Sequence, residues 1–187
     1  WAWGLFMAEG SCGTYQYDNS KKNVWAISNQ NQEFLTRAQN VMRKSEPNYD
    51  FIIDPCMRSS RIDKLNVRGE NLEALCLKYD TLFYTDRSTT MRQNAGTDLG
   101  IRFKKVPYQI LMAPNNVKLA FLQGWYDGDG AKTEGNSRRF DIKGQIGAAG
   151  LFYIASAVGY KVSINTRTDK EEIYRLTLTT GKQRVDT

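Results

Sequence analysis

Histidine is absent from the 187 residues of this chain. Because Ser-His-Asp and Cys-His mechanisms need a histidine base, both are excluded, together with histidine-dependent nucleases and histidine-ligated zinc. Cysteine is scarce, and Cys12, Cys56 and Cys76 form no C-x-x-C pair, so we expect reduced structural thiols in an intracellular protein. Long apolar runs are also lacking. The run 149–160 is shorter than the roughly 18 residues of a membrane span, and we expect no membrane partner.

Basic residues outnumber acidic ones. The chain has 26 Lys and Arg against 20 Asp and Glu, which gives a net charge of +6 and an isoelectric point near 9.2. An excess of positive charge favours a polyanionic partner such as a nucleic acid. A chain of this length can bury one substantial core or two small packed ones, and we expect one compact unit with an internal duplication.

The duplication is visible in two similar segments, AWGLFMAEG at 2–10 and LQGWYDGDG at 122–130. Each is an apolar, helix-like run that ends in a carboxylate and a glycine. The pattern predicts two buried helices whose terminal glycines form left-handed caps. The preceding acids, Glu9 and Asp129, then lie in the last turn, where the helix dipole disfavours a carboxylate by about 0.3–1 kcal/mol.

Small residues recur four positions apart in each segment, as Gly4 and Ala8 and as Gly124 and Gly128. Such spacing puts the small residues on one face, so two of these helices can pack with their backbones very close. Close packing brings the two terminal acids together. Two adjacent carboxylates repel unless a divalent cation neutralises them, which is the arrangement of a metal-dependent phosphodiesterase.

Both segments resemble the LAGLIDADG motif of homing endonucleases. The matching residues are Gly4, Leu5, Ala8, Glu9 and Gly10 in the first copy, and Leu122, Gly124, Asp127, Asp129 and Gly130 in the second. The first copy departs from the motif at Met7, where aspartate is common, and at Glu9, where aspartate is usual. The segment 104–130 also resembles the Lys-x-Val-Pro block of intein-borne members, and a DNA polymerase is one expected host.

The resemblance implies an α+β fold. Two pseudo-symmetric halves, each helix, hairpin, helix, hairpin, would cover 1–117, with an extra helix and connecting segment, and 118–187. They would together form one compact, monomeric endonuclease with the motif helices packed at the centre and antiparallel sheets forming a DNA-binding saddle. Since splicing relies on a histidine, the chain should not splice itself. It begins inside the first motif without a Met, so we expect a fragment whose splicing domain lies elsewhere.

The resemblance also implies the chemistry. The function would be a site-specific, double-strand cut in a long duplex DNA target. Glu9 and Asp129, with the carbonyls of Ala8 and Gly128, would hold Mg²⁺, as two or three divalent ions for which Mn²⁺ can substitute. Lys104, the first lysine of the Lys-x-Val-Pro block, would stabilise charge or orient water near the scissile phosphate.

Period-2 and period-3.6 patterns predict the remaining elements. In the first half these are strands over 12–19, 23–28, 49–54 and 63–68, joined at the first hairpin by the turn 19–22, and a helix over 31–44. In the second half they are a strand over 138–144, a helix over 146–158 and a hairpin of 160–167 with 172–180. Residues 70–117 have no counterpart in the second half. Their pattern predicts a helix over 70–84, a polar loop over 87–100 and a segment that connects to the second motif.

Alternation along the strands selects the residues that would contact DNA, because alternate side chains leave the core. Base edges would be read by polar side chains on the outer strand faces, namely Lys64, Asn66, Arg68, Arg139, Lys143 and Arg175. Alternation puts Asp141 on the same outer face, and Arg138 is a further predicted DNA contact. Phosphates would be bound by residues in turns or at strand ends, namely Lys21, Lys22, Arg58, Arg61 and Arg167.

Two alternatives remain open at this stage. A relic or maturase-like protein that binds nucleic acid without cutting is supported by Met7, by Glu9 and by the lack of a clear second lysine, for which Lys182 is a weak candidate. A calcium-binding protein is suggested by DGDG at 127–130, but the residues that follow fail the EF-hand spacing.

Overall fold

A computed structural model describes residues 1–17, 20–55, 62–86, 101–130 and 137–180. The first elements are α1 (Ala2–Glu9), β1 (Gly10–Tyr17), β2 (Ser20–Asn29), α2 (Gln32–Ser45), β3 (Asp50–Pro55), β4 (Asp63–Arg68) and α3 (Leu72–Phe83). The remaining ones are α4 (Tyr108–Leu111), α5 (Asn115–Asp129), β5 (Ser137–Lys143), α6 (Gln145–Ala157), β6 (Tyr160–Thr166) and β7 (Ile173–Thr180). All helices and strands predicted within these ranges are present, and the α+β class is confirmed.

The chain forms two compact units. One comprises Trp1–Thr81 with Ala120–Gly130, and the other comprises Leu82–Leu119 with Ala131–Thr187. Both motif segments therefore belong to the first unit. The division at residues 117 and 118 made from the sequence stays a prediction.

The first unit contains a four-stranded antiparallel sheet in the order β1-β2-β4-β3. Helix α2 covers it with a buried stripe of Leu35, Ala38 and Met42. Helical spacing also predicts Phe34 and Val41 on this face, but Phe34 is half-buried and Val41 is exposed. The helix begins at a side-chain cap, because Asn31 Oδ1 accepts a 2.9 Å hydrogen bond from the Glu33 amide.

An aromatic cluster fixes α1 against this sheet. The ring of Phe6 stacks on Trp25 at 5.3 Å between centroids and meets the edge of Tyr79 at 4.9 Å. Trp25 in turn packs edge-on against Phe51 of β3. Because all four side chains are nearly or completely buried, this cluster contributes a large share of the apolar area of the unit.

The second unit contains a three-stranded antiparallel sheet in the order β5-β7-β6. Helix α6 packs on it through buried residues that include Leu151, Ile154 and Ala155. The order repeats that of β2-β4-β3 in the first sheet, as the repeat in the sequence predicts. Arg58, Arg61, Lys182 and the predicted loop 87–100 lie outside the described residues.

The motif segments pack through their glycines in a reciprocal way. A Cβ atom added to Gly4 would lie 1.9 Å from the carbonyl oxygen of Phe121, and one added to Gly124 would lie 2.0 Å from that of Trp1. The two Cβ atoms would also lie close to an amide nitrogen of the other segment, that of Trp125 at 2.8 Å and that of Leu5 at 3.0 Å respectively. The two contacts are equivalent, because Trp1 and Phe121 occupy matching positions in the two segments. Such reciprocity is typical of a two-fold interface. The close backbone approach predicted from the small residues is confirmed.

The predicted left-handed caps are wrong. Gly10 has φ −79° and ψ 154°, so the chain passes from α1 directly into β1 in an extended conformation. Gly130 is not among the positive-φ glycines either. Glycine is needed at both positions for space, because a Cβ atom would lie 2.3 Å from the ring of Phe6 at Gly10 and 2.3 Å from the ring of Tyr126 at Gly130.

The predicted first turn also needs correction. Strand pairing continues to Tyr17 and Ser20, so Lys21 and Lys22 lie within β2 and not in a turn. Both lysines are exposed. Across the described ranges, no helix has the length and hydropathy that a membrane span requires.

We predict that Gly124→Ala destabilises the protein by about 1–3 kcal/mol or more, because the new methyl group meets a backbone carbonyl that cannot move without separating the helices. Urea denaturation measures the change. Gly150→Ala on α6 is the matched control, since the nearest atoms to its Cβ would belong to side chains, those of Val106 at 3.0 Å and Leu111 at 3.8 Å. Equal unfolding midpoints for the two variants would contradict the close packing of the motif helices.

Candidate active site and nucleic-acid interface

The two predicted metal-binding acids end their helices side by side. Glu9 is the last residue of α1, and Asp129 is the last residue of α5. A Cβ atom at Gly128, the residue before Asp129, would lie 2.6 Å from the Ala8 Cβ and 3.2 Å from the Glu9 Cγ. The glycine contacts therefore bring both carboxyl-bearing helix ends to one place, as predicted. Asp129 is exposed and Glu9 is half-buried.

The oxygen donors at these helix ends fit a hard divalent cation. Ala8 and Gly128, which immediately precede the two acids in the last helical turns, contribute backbone carbonyls to the same helix ends. The described residues contain no group of three or more His, Cys, Asp or Glu side chains that could hold a metal ion. Mg²⁺ is often bound by only one or two carboxylates, with substrate phosphates completing the shell. The site thus suits a cation that binds together with a phosphate.

The third acid of the motifs, Asp127, has a packing role. Its Oδ2 accepts a 2.7 Å hydrogen bond from Nε1 of Trp1, and its Oδ1 accepts one from Gln123. Arg37 lies 4.1 Å over the Trp1 ring and holds it from the other side. Asp127 therefore links α5 to the residue that precedes α1. Met7 is the counterpart of this packing residue in the first motif.

Lys104 belongs to the second unit. Its backbone is held by a short antiparallel pairing, in which the Lys105 amide donates to the Phe83 carbonyl at 2.7 Å and a bridge joins Tyr84 to Lys104. Helix α6 also packs closely against the Lys104 backbone, since a Cβ atom at Gly147 would lie 2.4 Å from the Lys104 carbonyl oxygen. The side chain is half-buried, and its catalytic role stays a prediction.

The first sheet carries predicted DNA-contacting side chains on one face of β4. Lys64, Asn66 and Arg68 alternate with the core residue Leu65. Asp54 of β3 lies among them, because Asn66 Nδ2 donates to its Oδ2 at 3.3 Å and Arg68 Nη2 lies 3.7 Å from its Oδ1. Lys22 is on the same face of the sheet by the strand register. These residues form a polar face of mixed charge.

The second sheet brings Arg139, Lys143 and Arg175 to its outer face. In β5 the buried residues are Phe140 and Ile142, so Arg139 and Lys143 point to the other side. Alternation puts Arg138 with Phe140 and Ile142, and the structure does not bring it together with the others. Lys143 lies 4.0 Å from Glu172 and 5.7 Å from the Phe103 ring centroid.

Two predicted DNA contacts are held by one carboxylate, that of Asp141. Arg175 donates from Nε to Oδ1 at 2.8 Å and from Nη2 to Oδ2 at 2.9 Å, and Arg167 donates from Nη1 to Oδ2 at 2.8 Å. Arg167 also makes a bidentate pair with Asp169. The hydrogen bonds from Arg175, and then those from Arg167, lower the pKa of Asp141 from 3.8 to about 2.

Sequence reasoning missed Asp141 as a functional residue, although it placed this side chain on the outer face. The signal was available in the strand register, because Asp141 lies directly opposite Arg175 across β5 and β7. An opposite-charge pair at such a position is expected to interact. The engagement of Arg167 could not be read from alternation, since it reaches Asp141 from beyond the end of β6.

No family model matches the chain. Over 187 residues it is 38% identical to a DNA polymerase of Acanthamoeba polyphaga mimivirus, a match that covers 98% of this chain and 10% of the polymerase. The chain thus spans about a tenth of that relative's length.

Solved structures of the homing endonuclease I-DmoI superpose on nearly the whole chain. Mesophilic variants of I-DmoI match with a TM-score of 0.64 at 15% identity, covering 95% of this chain and 86% of theirs. I-DmoI in complex with DNA and Mn matches with a TM-score of 0.65 at 14% identity over the same shares. The chain has the LAGLIDADG homing endonuclease fold. Related I-DmoI structures with DNA contain Ca or were obtained with Mg.

The homing endonuclease fold agrees with the resemblance seen in the motifs, which is confirmed. The match to a DNA polymerase is consistent with an intein-borne origin. Within this homing endonuclease fold, the glycine-packed helix pair is the element that positions Glu9 and Asp129.

We predict different effects from the two aspartates of the second motif. Asp127→Asn should destabilise the protein by about 1–2 kcal/mol, because an amide replaces one of two acceptor oxygens facing N–H donors. Asp129→Asn, the matched control two residues along the same helix, should change stability by less than about 1 kcal/mol, the scale of a helix-end charge. Urea unfolding of both variants measures this. A larger loss for Asp129→Asn would contradict the packing role of Asp127.

The Asp141 ion pairs should contribute stability that depends on pH. Since the pKa of this carboxyl is lowered on folding, the contribution is present above its ordinary value of 3.8 and is lost as the pH falls through about 2. We expect the difference in unfolding free energy between the unmodified chain and Asp141→Asn to shrink as the pH falls from about 5 towards 2. Urea unfolding at several pH values measures it. A difference that stays constant over this range would contradict the assignment.

Proposed function

We propose that this chain is a site-specific DNA endonuclease that makes a double-strand cut with divalent metal ions. The observation that carries the proposal is the reciprocal glycine contact, which joins two helix ends that each present a carboxylate. Helix ends are unfavourable positions for acids, and two neighbouring acids repel. Such an arrangement is costly for stability alone and useful when a cation binds there.

Glu9 and Asp129, with the carbonyls of Ala8 and Gly128, would hold the metal in this proposal. The chemistry that a divalent cation supplies when bound is neutralisation of the phosphate charge and access to hydroxide at neutral pH. Glu9 has a longer side chain than the aspartate usual in the motif, so it reaches further from its helix.

DNA would bind along the outer faces of the two sheets. Each face presents donors for phosphates and base edges, including Lys22, Lys64 and Arg68 on the first sheet and Arg139 and Lys143 on the second. The excess of positive charge adds long-range attraction for the duplex. In the same proposal Lys104 acts near the scissile phosphate, which rests on its match to the Lys-x-Val-Pro block.

Both motifs lie in one chain, so we propose that it acts as a monomer. Its similarity to a segment of a DNA polymerase supports an intein-borne enzyme. The proposed target lies in a DNA polymerase coding sequence, because the matched relative is a DNA polymerase.

The test is cleavage of plasmids that carry candidate insertion sites, in Mg²⁺ and in EDTA. We expect cutting only with metal, and a loss of at least about 100-fold in rate for Asp129→Asn and for Glu9→Gln, since loss of an outer-shell partner alone costs 10–100-fold. Asp127→Asn is the matched control and should still cut while folded. Salt-sensitive DNA binding without any cutting by the unmodified chain would instead support the relic.

A further inference from the structure

We propose that Asp141 is a positioning residue that holds Arg175 so that it reads one guanine of the DNA target. The inference rests on the proposed function in one respect, that duplex DNA lies on the outer face of the second sheet. It adds a specificity-determining pair that the LAGLIDADG motifs do not contain.

Asp141 binds one edge of the Arg175 guanidinium. Asp141, Arg175 and Asn165 form one row across β5, β7 and β6 by the strand register. The carboxylate occupies the side edge of the Arg175 fork, formed by Nε and Nη2. The end edge, formed by Nη1 and Nη2, keeps donors that no hydrogen bond within the described residues uses. The Arg175 side chain is 34% exposed, so solvent reaches part of it.

The edge of Arg175 formed by Nη1 and Nη2 matches the acceptors of guanine. Guanine presents two acceptors, O6 and N7, in the major groove, and a planar pair of N–H donors satisfies both. A bidentate contact of this kind discriminates against other bases by about ten-fold or more. An arginine already held by a carboxylate has less rotamer freedom to lose on binding, so its orientation selects one base position.

Arg167 differs from Arg175 because it is bonded to two aspartates and Arg175 to one. Arg167 is bonded through Nε and Nη2 to Asp169 and through Nη1 to Asp141, and only 23% of its side chain is exposed. It therefore braces Asp141 and has few donors left for a phosphate. The two arginines and two aspartates carry no net charge together, so this cluster adds little general attraction for DNA. Its contribution is to base selection.

Because the cluster is neutral, variants of Asp141 and Arg175 should change DNA affinity differently while both relax the preference for guanine. Asp141→Asn removes a negative charge beside two arginines, so it should strengthen non-specific DNA binding while relaxing the preference for guanine. Arg175→Lys keeps the charge and removes the planar fork, so it should relax the same preference without strengthening binding. A residue with a merely structural role would not produce opposite changes in affinity and selectivity.

The experiment is selection from a duplex library with a fully randomised core, performed in EDTA and followed by sequencing. We expect the unmodified chain to enrich a motif in which Asp141→Asn and Arg175→Lys each lose about ten-fold in guanine preference at one shared position. The double variant should lose no more than Arg175→Lys alone, since Asp141 acts through Arg175. Asp169→Asn, which releases only Arg167, is the matched control and should lose less.

The outcomes distinguish this inference from the proposed function, because selection in EDTA does not require cutting. An enriched motif that both single variants retain would overturn the inference and leave the endonuclease intact. An enriched motif in a protein that never cuts would overturn the endonuclease and leave the inference. Failure of the unmodified chain to enrich any motif overturns the inference. Arg175→Lys keeps the test valid if Asp141→Asn fails to fold.

Discussion

The backbone contact between the two motif segments determines where both carboxylates lie. Gly4 and Gly124 allow each helix to place a carbonyl oxygen where the other would carry a Cβ atom. At that separation the helix ends cannot diverge, so the last residues of both helices emerge together. The contact buries backbone with little side-chain area, and the adjoining aromatic cluster of Phe6, Trp25 and Tyr79 supplies the apolar burial that holds α1 in place.

The same geometry explains the terminal glycines. Side chains four residues back, Phe6 and Tyr126, occupy the space that a Cβ atom at Gly10 or Gly130 would need. Gly10 then enters β1 at once in an extended conformation, so the acid before it is followed directly by a sheet. The glycine is a requirement of packing at the junction between helix and strand and has no role as a left-handed cap.

Most of the secondary structure could be predicted from the sequence because local periodicity decides it. The helix with Leu35, Ala38 and Met42 on one face is an example. The proximity of the motif helices was also predictable, since small residues at a spacing of four have few other uses. What periodicity could not supply was the engagement of surface charges. Asp141 and Arg167 meet through a connection between strands, and alternation contains no information about it.

The counterpart pairs across the helix contact account for the first motif's departure at Met7. Asp127 accepts a hydrogen bond from Trp1, but the counterpart of Trp1 is Phe121, which has no N–H to donate. Met7, the counterpart of Asp127, has no carboxylate to accept such a bond. Both Met7 and Phe121 are almost fully buried. Replacing both partners of a hydrogen bond by apolar groups is nearly neutral, whereas replacing one leaves a buried donor unsatisfied. The change at Met7 is therefore matched by the change at Phe121. Within one chain, each motif needs to satisfy only its own neighbours, and of the two departures only Glu9 falls on a position predicted to bind metal.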